Sequence, residues 1–259
     1  MISKLRRVLV LAASMPLLAA SMAAFVAVPA NAAAQPKRVL LFSHSTGYRH
    51  ASIEPGVAAL RSLGTSNGIT MVPSEDPNVF SPERLRDFDA IVFLSTSTDA
   101  KKPESEWFQG PRRSALQAFV RRGGGIVGIH AASDSHYHWP WYQRLIGGHF
   151  ASHPEGTPKG TVKVVDRKHQ ANAGLPATIT RNDEWYYFDD YNPEAHLLVT
   201  LDPQSIGEKD ANPNPVSWAH NFEGGRVFYT AMGHTNESYS EPNFLKHLTG
   251  GLNWVLKRK

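Results

Sequence analysis

Apolar positions in this chain fall into short runs that alternate with stretches of helical spacing, most regularly before residue 130. Lys37–Ser43 (KRVLLFS) is an apolar run suited to a central strand. Ile53, Val57 and Leu60 then recur at helical spacing, with Gly64 placed for a left-handed C-cap. Ile69–Val72 predicts a short strand, and Ser81-Pro82-Glu83 supplies an N-cap followed by a proline at the first helical position. Ala90–Leu94 predicts a third strand, Pro111–Arg122 a helix burying Leu116, Phe119 and Val120, and Ile126–Ile129 a fourth strand.

Strands alternating with helices at this spacing imply an α/β fold: an open parallel sheet with right-handed crossovers and helices on both faces. The second half is richer in loops. Val162–Val165, Leu197–Leu201 and Val227–Thr230 read as strands, and a helix over Asn243–Leu256 closes the chain. Nothing divides residues 37–256, so they are expected to form one domain.

The N-terminus changes the charge argument. Lys4, Arg6 and Arg7 precede an apolar stretch, Val8 to Val28, that ends at Pro29-Ala30-Asn31-Ala32. A charged start, an apolar middle and an A-x-A site describe a secretory signal peptide over residues 1–32, hence a secreted or periplasmic protein. The 27 Lys and Arg of the full chain fall to 24 on cleavage, against 23 Asp and Glu. That near-neutral balance gives no basis for nucleic-acid binding, and no later segment is long and apolar enough for a membrane. The chain has no cysteine, so disulfides are excluded and stability must come from a packed core.

His130 is the most informative position. The apolar run 125–129 stops there and small residues, Ala131-Ala132-Ser133, follow, with Asp134 beyond. This predicts a strand feeding a tight elbow that lifts an imidazole above the carboxyl edge of the sheet. The glycines of Gly123–Gly128 match G-x-G-x-x-G but follow a helix and open a strand, the reverse of a dinucleotide site. Other polar segments should reach the same edge. One carries Tyr48 and His50, another His153, a third Glu184, Trp185 and Tyr186, and the last His234. Trp139 and Tyr142 lie in a further segment read as a polar, aromatic-rich loop.

Imidazole beside carboxylate is the usual equipment for proton transfer near neutral pH. Glu184, His234, His130 and Asp134 are therefore the candidate catalytic residues, with Glu184 as acid or base and Asp134 orienting an imidazole. His50, Tyr48, Trp139, Tyr142, His153, Trp185 and Tyr186 are candidates for substrate binding, because aromatic faces stack on the CH faces of sugars. His50, His153, Glu184 and His234 could also hold a divalent metal, zinc or manganese.

Six segments in order carry a resemblance: GYRHASI (47–53), GGGIVGIHAASD (123–134), WPWY (139–142), FASHP (150–154), DEWYYF (183–188) and GRVFYTAMGHT (225–235). Together they resemble the ThuA-like (trehalose-utilisation) family, which is similar in fold to class I glutamine amidotransferases. The resemblance implies a flavodoxin-like sheet. It also places His130 at the amidotransferase nucleophile position and His234 at that fold's catalytic histidine. With G-I-H-A-A standing where an amidotransferase has G-x-C-x-G, a thioester route to glutamine hydrolysis is excluded. The resemblance further implies work on trehalose, related disaccharides or their oxidised (3-keto) forms. The expected function is an exported carbohydrate-active enzyme using acid–base chemistry, its partner a small carbohydrate. The alternatives are a non-catalytic sugar-binding protein and an interaction module with a relic pocket.

Overall fold

The structure is a computed structural model and describes residues 36–209 and 211–258. The leader expected over residues 1–32 lies outside the described residues. The first half runs β1 (Lys37–Phe42), α1 (Ile53–Ser66), β2 (Ile69–Ser74), α2 (Pro82–Leu85), β3 (Ala90–Leu94), α3 (Pro111–Arg121), β4 (Gly125–Ile129) and α4 (Pro140–Ile146). The second half runs β5 (His149–Ser152), β6 (Lys159–Val164), β7 (Thr178–Asn182), β8 (Tyr187–Asp189), β9 (His196–Asp202), β10 (Asn214–Phe222), β11 (Gly225–Thr230) and α5 (Pro242–Val255).

Nine strands form one sheet in the order β2-β1-β3-β4-β11-β10-β9-β6-β7. The pairings from β2 through β11 are parallel. Every residue of β3 and β4 is buried, which is why these strands read as unbroken apolar runs: helices cover both faces. Gly125 meets Val255 of α5, whereas Gly128 faces Ile146 of α4 and Tyr229 of β11. Adjacent helices and strands approach so closely at these glycines that a Cβ at either would lie within 2.9 Å of a neighbour.

From β11 onward the pairing is antiparallel. The cause is local. Glu223 and Gly224 both adopt positive φ (45° and 99°), the geometry of a tight two-residue hairpin turn joining β10 to β11. The hydrophobic pattern misses β10, whose start is Asn214-Pro215, and treats β7 and the β5–β8 ribbon as loop. β5, β7 and β8 are short or half-exposed and carry little apolar signal of their own, while the buried Val216–Ala219 of β10 is broken by Ser217 and flanked by polar residues.

Two local expectations are corrected. Gly64 is not a C-cap: α1 continues to Ser66, and Gly64 is required because a Cβ there would lie 2.6 Å from Met71 Cγ. The WPWY segment is not a polar loop but the start of α4, with Pro140 at its first position. Ser81 does cap α2, accepting from the Arg84 amide at 3.3 Å. Among the described residues, no helix is long and apolar enough to cross a membrane.

Candidate functional site

Strand β4 delivers His130 to the sheet edge with φ +51°, a conformation that a residue with a Cβ adopts at a cost of about 1–2 kcal/mol. Its surroundings impose that conformation. Ala131 and Ala132 are fully buried beneath it, and the Tyr229 hydroxyl donates to the His130 carbonyl at 2.8 Å. The ring is set from the other side: His130 Nδ1 lies 2.7 Å from the Ala231 carbonyl. A carbonyl only accepts, so Nδ1 carries a proton, leaving Nε2 as the ring's lone-pair position, turned inward.

Three more donors meet that lone pair. His130 Nε2 is 3.2 Å from His50 Nε2, 3.1 Å from His234 Nδ1 and 3.4 Å from Glu184 Oε2. Glu184 Oε2 is in turn 3.1 Å from His234 Nδ1. All four ligand atoms lie within 4.8 Å of one another. The edges of a zinc tetrahedron with bonds near 2.1 Å are about 3.4 Å long. The observed separations suit one cation in their midst, and three imidazoles with a carboxylate are a suitable ligand set for zinc or manganese.

Each donor comes from a different strand-end loop, and each loop is tied down. The His50 loop follows β1; Thr46 and Gly47 amides donate to the Ser97 carbonyl at 2.9 and 3.1 Å. The His234 loop follows β11, where Gly233 (φ +113°) takes a conformation natural only to glycine. The Ser52 hydroxyl donates to the Gly233 carbonyl at 3.1 Å and so joins the His50 and His234 loops. Asp183 is fully buried and accepts from the amides of Gly233 (2.9 Å), His234 (3.0 Å) and its own neighbour Glu184 (3.0 Å). Arg181 balances its charge at 3.1 Å.

Electrostatics follow from this crowding. Burial first, then the neighbouring His130 and His234, lower the His50 pKa to about 2, which favours its neutral form, the form that could bind a metal. Burial disfavours the Glu184 carboxylate, but hydrogen bonding to His130 and His234 outweighs it and holds the group well below the usual range. The lowered value favours the carboxylate form, in keeping with the base alternative of the acid-or-base role expected of Glu184. His234 is disfavoured in its charged form by burial, yet Glu184 raises its pKa on balance.

The remaining candidates divide. His153 stands 3.4 Å from the other Glu184 oxygen, on the more exposed side, and is outside the four-donor group. Tyr186 lies over His130 with ring centroids 4.3 Å apart. Tyr48 meets His50 edge-on at 4.8 Å. Asp134 orients no imidazole: its carboxylate takes the Tyr137 hydroxyl instead. Burial raises the Asp134 pKa to about 6, against the Tyr137 bond and helped by the charge of Glu184. Trp139, Tyr142 and Trp185 do not face the site. Trp139 is stacked on Trp141 at 5.0 Å with Arg113 5.0 Å from its ring. Tyr142 is fully buried and bonded to the Ala132 carbonyl; Trp185 is buried and donates to the Pro158 carbonyl. Aromatic rings are large enough to be drawn into the core whatever polar residues flank them.

Sequence reasoning missed Asp183 and Arg181 as the pair that positions Glu184 and His234. Asp183 stood in the DEWYYF segment, but only the fold shows which amides it collects.

The comparisons agree with this architecture. Residues 38–255 match the profile of the family described as ThuA, trehalose utilisation. The chain belongs to that family. A ThuA-like protein from Bacteroides uniformis superposes with TM-score 0.72 at 24% identity, covering 88% of this chain and 95% of that one. A second ThuA-like protein, from Parabacteroides merdae, gives 0.69 at 17% identity, covering 85% and 90%. A glutamine amidotransferase from Thermotoga maritima gives 0.56 at 12% identity, covering 86% and 99%. Likeness at such identities shows a shared fold. No curated protein matches the chain. In this ThuA-family member the elbow after β4 carries the imidazole of His130.

Proposed function

We propose that this ThuA-family protein is an exported, divalent-metal-dependent enzyme acting on a glycoside or oxidised (3-keto) disaccharide. The observation that carries the reading is the convergence of His50, His130, Glu184 and His234, with the His130 lone pair forced inward by the Ala231 carbonyl. Membership of the family described as trehalose utilisation supports a carbohydrate as the substrate.

A cation at this site would polarise a carbonyl or hydroxyl oxygen of the sugar. On a 3-keto sugar this acidifies the C2 hydrogen. A base takes that proton, the C1–O bond breaks as a C1=C2 double bond forms, and the departing oxygen is protonated. Asp134 has a proton affinity suited to such transfers near neutral pH and lies within electrostatic reach of Glu184 and His153. Tyr137 holds its carboxyl in place.

The deciding experiment is elemental analysis of tag-free protein followed by turnover assays with 3-ketotrehalose and trehalose. One equivalent of metal, with turnover abolished by chelator and restored by zinc or manganese, supports the reading. Metal-free protein that turns over either sugar, or metal-loaded protein that turns over neither, refutes it. Fractionation of the native host tests export, which rests on the leader sequence alone.

A further inference from the structure

We propose that Tyr48 is a stacking platform for the second pyranose ring of a disaccharide whose first ring is bound at the four-donor cluster. This rests on the carbohydrate reading above. Among the described residues, Tyr48 and Val165 are the large hydrophobic side chains left exposed, and Tyr48 is 67% exposed. A single exposed aromatic normally needs no explanation. Tyr48 differs in how it is held and in what lies beneath it.

Its backbone has little freedom. The amides of Thr46 and Gly47 donate to the Ser97 carbonyl, and the Ser97 hydroxyl donates back to the Tyr48 carbonyl at 2.6 Å. Gly47 is pressed so close to Thr98 that a Cβ would lie 2.8 Å from its carbonyl carbon. On the far side, the Arg49 guanidinium is held by Glu54 at 2.8 Å and Glu75 at 2.9 Å. The loop is therefore ordered before any ligand arrives, which removes an entropic cost of binding. The ring itself stays in solvent and covers buried His50, a member of the cluster, at 4.8 Å.

The ligand chemistry follows. A flat, exposed ring one contact away from a polar cluster suits a molecule with an apolar face next to a hydroxylated or carbonyl-bearing ring. A pyranose CH face satisfies both requirements, and a disaccharide spans both positions.

Calorimetric titration of metal-loaded protein with trehalose and with glucose tests this, using wild type, Tyr48→Ala and Tyr48→Phe. We expect Tyr48→Ala to weaken trehalose binding about tenfold, Tyr48→Phe to bind like wild type, and glucose to bind equally to all three. Unchanged metal content and Tm in Tyr48→Ala confirm an intact site. If Tyr48→Ala binds trehalose as wild type does, the platform is refuted while the carbohydrate reading stands. An equal loss for glucose refutes the assignment to a second ring. Wild type that binds neither sugar, and turns over no 3-keto sugar, refutes both proposals together.

Discussion

The carboxylate of Asp183 holds the backbone of His234 at 3.0 Å and, through its other oxygen, that of Gly233 at 2.9 Å. It also accepts the amide of Glu184, so one buried group sets the spacing of two members of the cluster. Removing its charge leaves the almost wholly buried Arg181 with only the more exposed Glu241, at 3.4 Å, as a carboxylate partner. Asp183→Asn should cost about 3–5 kcal/mol in denaturant titrations, and Arg181→Met with Asp183→Asn less than the sum of the single changes. Additivity would show that the two charges are not coupled.

Metal affinity should fall with Asp183→Asn even where the protein remains folded. Groups that orient ligands typically change affinity by about 10–100-fold when altered. Competition against a chromogenic zinc chelator reads this directly. An unchanged affinity would mean that the loop holds His234 without Asp183.

Cation binding should be visible as stability. At a thousandfold excess over Kd, a ligand selective for the folded state adds about 4 kcal/mol. For a domain of this size that corresponds to roughly 8–16 °C in Tm. Thermal melts with EDTA, then with added zinc or manganese, should differ by that order, and His50→Ala should lose most of the difference.

Glu184→Gln keeps the shape of the side chain but removes its charge. With Glu184 acting as ligand or base, kcat on the cognate sugar should drop by about 10²–10⁴-fold with the fold retained. Near-normal kcat in this variant would take Glu184 out of the reaction.

Acid should destabilise the metal-free protein from near pH 6.5 downward. Burial lowers the pKa of both His136 and His247 to about 4, partly opposed by Glu106 and by the Ala171 carbonyl respectively. Between pH 6.5 and 4 the unfolded chain takes up protons that the folded protein refuses, so stability falls as pH falls. Asp134 runs the other way, because its folded pKa of about 6 lies above the ordinary 3.8. His50, with its pKa lowered to about 2, refuses protons over the same window, so three imidazoles against one carboxyl leave a net loss of stability as pH falls. Urea titrations in EDTA at pH 7, 6, 5 and 4 would show it; a flat profile contradicts these assignments.

The sequence by itself determined the parallel half of the sheet, because strands covered on both faces must be continuously apolar and leave an unmistakable trace. It also determined the elbow at His130, where an apolar run ends and only alanines and serine follow. The antiparallel half was legible only in part: β6 and β9 read as strands, but β7 and β8 are half-exposed, and β10 depends on pairing with β11 across a turn at Glu223-Gly224. His50, His130, Glu184 and His234 were all visible as candidates. That His130 joins the four-donor cluster and His153 stands beside it was set by tertiary structure. The same holds for Trp139, Tyr142 and Trp185, drawn into the interior by packing. Local sequence specifies periodicity and backbone preference; which lone pairs converge depends on loops from distant strands meeting, and only the folded chain sets those distances.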